Sequence, residues 1–142
     1  MSEKVLLIDD EKEFVETLAE RMKIRGMDVT ATTSPIDALG KLDEDKYDAI
    51  ILDLKMPEKD GLETLAAMKK KNPELQIILL TGHATVEKGI EAMKLGAMDF
   101  LEKPIDLNVL SEKIKKAQAK KMILVEKHTE EKIKQIIVGK EW

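Results

Sequence analysis

The sequence predicts a doubly wound α/β fold built on a parallel sheet, and three observations carry the prediction. Short apolar runs alternate with helix-period stripes through most of the 142 residues. Several of these runs are apolar almost without interruption, as strands buried on both faces are. Four of the five runs then stop at polar residues, Asp9-Asp10, Asp53, Thr81 and Lys103. Five strands alternating with five helices require right-handed crossovers, which place helices on both faces of the sheet.

The first run is Val5 to Ile8, and it ends at Asp9-Asp10. Phe14, Leu18 and Met22 follow at intervals of four with Val15 beside them, an amphipathic helix that Gly26 ends. Met27 to Thr32 holds Val29, Thr30 and Thr32 and reads as the second strand. Ser34-Pro35-Ile36-Asp37 is a helix start: a capping hydroxyl, proline in the first turn and an acid three residues after the cap. Ala38, Leu39 and Leu42 supply the buried side of that helix.

Asp48 to Leu52 is the third strand and ends on Asp53. Past Pro57 and Gly61, a helix carries Leu62, Leu65, Ala66 and Met68 and closes near Asn72-Pro73. Gln76 to Leu80 is a fourth strand, ending on Thr81. Val86, Ile90 and Met93 form the next stripe, with Gly89 inside it and Gly96 as its stop. Residues 99–103 make a short fifth strand, and a helix begins at Asp106 with Leu107, Leu110, Ile114 and Ala117 at helical spacing. The chain divides into a compact domain over 1–120 and a helical extension over 121–142, which either folds back or pairs with another chain as a dimerising helix.

Composition narrows the function. A hydrophobic fraction of 43% supports one core, and 37% charged residues give a solvated surface. With no cysteine there is neither a disulfide framework nor a thiolate metal site. The N-terminal apolar run is too short for a signal peptide or a membrane span, so a cytoplasmic protein is expected. A net charge of −4 makes direct nucleic-acid binding an unfavoured main activity. The lysines at 113, 115, 116, 120 and 121 read as a solvated helix face, and His128 as a solvated tail residue.

In a parallel sheet the ligand crevice lies at the carboxyl ends of the strands. Asp9, Asp10, Asp53, Thr81 and Lys103 therefore converge there. Three carboxylates at one place repel one another unless cations compensate. Lys103 supplies one positive charge, and Mg²⁺, which takes one or two carboxylates together with a phosphoryl oxygen, is the natural supplement. Asp53 is placed to attack a phosphoryl donor, and Thr81 to bond a phosphoryl oxygen.

Four segments sharpen this: Leu6-Leu7-Ile8-Asp9-Asp10-Glu11, Ile51 to Pro57 with Asp60-Gly61, Thr81-Gly82-His83, and Phe100-Leu101-Glu102-Lys103-Pro104. In this order and spacing they resemble the receiver domain of two-component response regulators, over roughly residues 4 to 120. The stretch from Gly82 to Pro104 looks most like receivers of the nitrogen-regulation class, which control enhancer-binding activators. The resemblance implies a flavodoxin-like sheet of order 2-1-3-4-5, with Asp53 as phosphoacceptor and a sensor histidine kinase as donor. It implies a metal site of Asp9, Asp10, Asp53 and the backbone carbonyl of Lys55. It further implies Thr81 and Phe100 as switch residues, Lys103 as the phosphate-binding amine and a cis bond before Pro104. Lys55 and His83 occupy positions that tune dephosphorylation. The chain is then a switch rather than an enzyme, either free-standing or part of a longer regulator.

Two other readings compete. A dehalogenase-like phosphatase would need an acid two residues after its nucleophile, where Lys55 stands. A DNA-binding regulator would need a helix-turn-helix, and none is recognisable.

Overall fold

The computed structural model describes residues 2–54, 61–82 and 86–139. The elements run β1 (Lys4–Ile8), α1 (Lys12–Ile24), β2 (Asp28–Thr32), α2 (Pro35–Glu44), β3 (Ala49–Asp53), α3 (Gly61–Lys71), β4 (Ile77–Thr81), α4 (Val86–Lys94), β5 (Asp99–Glu102) and α5 (Leu107–Gly139). The five strands form one sheet in the order β2-β1-β3-β4-β5, all parallel, as the sequence predicts. Strand and helix ends differ from expectation by about one residue, the ordinary latitude of boundaries.

The alternation of side chains across the strands builds two cores. Val5, Leu7, Ile51, Ile78 and Leu80 meet Val15, Leu18 and Met22 of α1 and Leu110, Ile114 and Ala117 of α5. On the opposite face Leu6, Ile8, Ile50, Leu52, Ile77 and Leu79 meet Ala38 of α2, Leu65 and Met68 of α3, and Ala92 of α4. All ten residues of β3 and β4 are buried, which explains their near-continuous apolar sequence.

Local chemistry sets the helix limits. The Ser34 hydroxyl accepts from the Asp37 N–H at 3.2 Å, a cap worth about 1 kcal/mol. Gly26 and Gly96 follow α1 and α4 at φ +90° and +102°, a backbone region that side chains rarely adopt. Asp106 accepts from the N–H groups of Asn108 (2.9 Å) and Val109 (3.4 Å) and so caps α5 rather than opening it.

Two readings of the sequence need correction. Ile90 and Met93, expected on the buried face of α4, are 52% and 47% exposed. Among the described side chains of that helix the buried one is Ala92. In α3, Ala66 is exposed and Thr64 is buried in its place. His128 is exposed, as the sequence suggests, and its Nε2 lies 2.7 and 2.8 Å from the two carboxylate oxygens of Glu74.

The extension is one helix with the end of the domain, a rod of 33 residues without a break near 120 and about 50 Å long. Its middle leans on the base of the sheet, away from the strand ends that carry the acids. Lys121 pairs with Asp48 at 3.3 Å, and Gln118 donates to the same carboxylate at 3.3 Å. Leu124, Val125 and His128 wall a cavity of about 330 Å³ against Leu42, Tyr47 and Leu75.

Candidate functional site

The carboxyl ends of β1, β3, β4 and β5 build the site. Ile8 stands beside Leu52 in the β1–β3 register, so the next residues, Asp9 and Asp53, emerge from neighbouring strands. Thr81 closes β4, and its carbonyl accepts from the Lys103 N–H at 2.8 Å, which ties the residue after β5 to the same edge. The Lys103–Pro104 peptide bond is cis.

Asp9, Asp10 and Asp53 each bring a carboxylate oxygen into one cluster, all within 4.8 Å of one another. Asp9 is fully buried and Asp53 is 3% exposed, while Asp10 faces solvent. Asp9 is held from two sides. Its Oδ1 accepts from the Glu11 N–H at 3.0 Å, and its Oδ2 accepts from Lys103 Nζ at 2.7 Å. Thr81 is buried at the same edge.

Among the described residues Lys103 is the cation of this cleft. Besides Asp9, it has the Glu11 carboxylate at 3.7 Å and the face of the Phe14 ring 4.2 Å from its Nζ. Burial is the largest influence on its pKa and pulls it down. The hydrogen bond to Asp9 and the charges of Asp53, Asp9 and Glu11 together outweigh burial, leaving the ammonium above its ordinary value of 10.5. Glu11 enters the sequence reading only as the end of the first motif, and Phe14 is not singled out as a site residue. Phe14 reads there as one member of the α1 apolar stripe.

The acid cluster fits a hard divalent cation by donor type and spacing. Oxygens sharing one octahedral ion at about 2.1 Å stand roughly 3 to 4 Å apart, a separation that small side-chain rotations would reach here. Phe100 lies apart from the cluster on β5, 40% exposed. Its ring stands 3.5 Å from where a Cβ on Gly89 would lie. Lys55 and His83 fall outside the described residues, as does Trp142.

A family profile described as response regulator receiver domain matches residues 5–115. The chain belongs to that family. The receiver is 36% identical over 115 residues to the transcriptional regulatory protein ZraR of Salmonella typhimurium, which covers 81% of this chain and 26% of ZraR. It is 30% identical over 122 residues to the C4-dicarboxylate transport transcriptional regulatory protein DctD of Rhizobium meliloti, covering 86% of this chain and 26% of DctD. The chain thus spans about a quarter of the length of these curated relatives. Among solved structures it is similar to a receiver domain protein from Clostridium thermocellum, with 34% identity, a TM-score of 0.82, and coverage of 87% of this chain and 99% of the other. It is also similar to the beryllofluoride-activated NtrC4 receiver domain dimer, with 31% identity, a TM-score of 0.77, and coverage of 82% and 96%.

The resemblance to nitrogen-regulation receivers therefore holds, and the cluster of Asp9, Asp10 and Asp53 is the receiver's phosphorylation site. Receivers are phosphoacceptor switches rather than enzymes in the broader sense. Among the described residues no helix is long and apolar enough to cross a membrane.

Proposed function

We propose that Asp53 takes a phosphoryl group from a phosphohistidine of a sensor kinase in a Mg²⁺-dependent reaction, and that the change is read out through Thr81 and Phe100. The observation that carries this reading is the packing of three carboxylates beside one half-buried lysine at the strand ends. A carboxylate oxygen of Asp53 attacks phosphorus, a P–O bond forms, the P–N bond to imidazole breaks, and the imidazole nitrogen keeps the electron pair. Asp10 and Asp53, with Asp9 nearby and the backbone carbonyl of Lys55, would hold Mg²⁺, which when bound supplies neutralising charge to the transferring phosphoryl oxygens. Lys103 contributes the other compensating charge from the protein itself.

The aspartyl phosphate adds strong acceptor oxygens and about −1.5 to −2 charge. Thr81 then moves toward it, and Phe100 turns from its exposed position into the space vacated. With no phenolic hydroxyl, Phe100 distinguishes the two states by packing alone. The outcome is a population shift that alters the surface of α4, β5 and α5 for a downstream partner. Lys55 and His83 set the lifetime of the acyl phosphate through access of water.

A dimeric receiver is the second part of the reading. Met122, Val125, Ile133, Ile136 and Ile137 are all more than 45% exposed and recur along one side of α5, a stripe suited to a second copy of the chain. The NtrC4 receiver, described as a dimer, supports this. A cytoplasmic setting suits a cysteine-free phosphorylation switch.

Chelation tests the metal requirement. Labelling by a kinase or by acetyl phosphate is expected to disappear in excess EDTA and return with added Mg²⁺. Asp10→Asn should need at least tenfold more Mg²⁺ for half-maximal labelling, a loss of about 1.4 kcal/mol in affinity. Labelling that is indifferent to chelation would overturn the metal assignment.

A further inference from the structure

We infer that Phe14 is a positioning residue for phosphoryl transfer, a platform of aromatic density that holds the Lys103 ammonium over the acidic cleft. This rests on the reading of Asp53 as phosphoacceptor and concerns the delivery of Lys103 to that site.

Carboxylates from two strand ends surround Lys103. Its carboxylate neighbours Asp9, at 2.7 Å, and Glu11, at 3.7 Å, both belong to the segment just after β1, and the charge of Asp53 acts on it from β3. A flexible four-carbon side chain that donates to Asp9 has two unproductive alternatives, locking onto Asp9 or leaving for water. The ring of Phe14 bears on the second alternative. Its centroid lies 4.2 Å from Nζ, well inside the roughly 6 Å over which an ammonium is attracted to an aromatic face. The Lys103 side chain is only 17% exposed.

The aromatic face has a property that a hydrogen-bond acceptor lacks. Attraction to the ring quadrupole is broad, so the ammonium can slide from Asp9 toward an arriving phosphoryl oxygen without losing its support. The sequence places the ring by simple means. Phe14 lies about one helical turn beyond Asp10, so the turn that presents the acids also aims Phe14 at their cation. Half-buried, it packs against the core of α1, α5 and the sheet, which fixes its two side-chain torsions.

The test measures the rate of Asp53 phosphorylation by acetyl phosphate at saturating Mg²⁺, as a function of donor concentration. Phe14→Leu is expected to lower the limiting rate about tenfold and to change half-saturation by less than about twofold. Phe14→Met serves as a second ring-free variant, and Phe14→Tyr, which keeps the ring, should match the wild type. In a Lys103→Met background, Phe14→Leu should have almost no further effect, because its target is gone. Equal losses with and without Lys103, or a Phe14→Tyr as slow as Phe14→Leu, would assign Phe14 a structural role only. Wild-type chain that takes no label at Asp53 would defeat the phosphoacceptor reading instead. Label on Asp53 with an unchanged rate in Phe14→Leu would defeat this inference alone.

Discussion

Lys103→Met is expected to slow phosphorylation of Asp53 by about 10²- to 10³-fold, the usual loss when a preorganised group facing developing negative charge is removed. The same change should lower stability by roughly 3 kcal/mol, the lower end of the cost of breaking a buried ion pair by deleting one partner. Both effects come from the same geometry. Asp9 is fully buried and gives one of its oxygens to Lys103 at 2.7 Å. Without that ammonium, Asp9 keeps the Glu11 N–H and otherwise faces the carboxylates of Asp10 and Asp53. Methionine preserves the length and apolar packing of the stem, so the loss isolates the charge. Because the folded pKa of Lys103 lies above 10.5, its contribution is fully present below the unfolded value and is lost as pH rises through the folded one. The stability gap between wild type and variant should therefore stay flat from about pH 6 to 9 and close only in more alkaline solution. Urea unfolding at several pH values measures it.

Gly61→Ala should also be severe, near 3 kcal/mol or roughly 10 °C in Tm. Gly61 opens α3, is buried, and donates its N–H to the Leu54 carbonyl at 2.9 Å. A Cβ at this position would overlap the Cα, carbonyl carbon and carbonyl oxygen of Leu54. Backbone cannot rotate aside as a side chain can, so either α3 or the residue after Asp53 must shift. That second movement predicts a functional consequence besides the thermal one. Phosphorylation of Gly61→Ala, measured well below its Tm, should be slower than wild type, whereas Gly40→Ala, with open space around its Cβ position, should be neutral in both.

The sheet was legible because each buried strand repeats apolar residues and then stops at a polar one. That punctuation locates Asp9, Asp53 and Thr81 in the sequence itself, while Lys103 follows the half-exposed β5. The faces of α4 were not legible in the same way. Ile90 and Met93 have helical spacing, but periodicity reports only that a stripe is apolar, and not that the chain itself covers it. Contacts between distant segments were equally hidden. His128 and Glu74 are 54 positions apart, and Lys4 and Asp48 are 44. Phe14 satisfied the α1 stripe so well that nothing in its spacing hinted at Lys103.

The most direct measurement is the position of the phosphoryl group. Wild-type and Asp53→Asn chains, incubated with acetyl phosphate and Mg²⁺, would be reduced with borohydride and mapped by peptide mass spectrometry. A single acyl phosphate on Asp53 and no label in Asp53→Asn are expected, with Asp9 and Asp10 unmodified in both. Label on Asp9 or Asp10 of the wild type, or equal labelling of Asp53→Asn, would contradict this expectation.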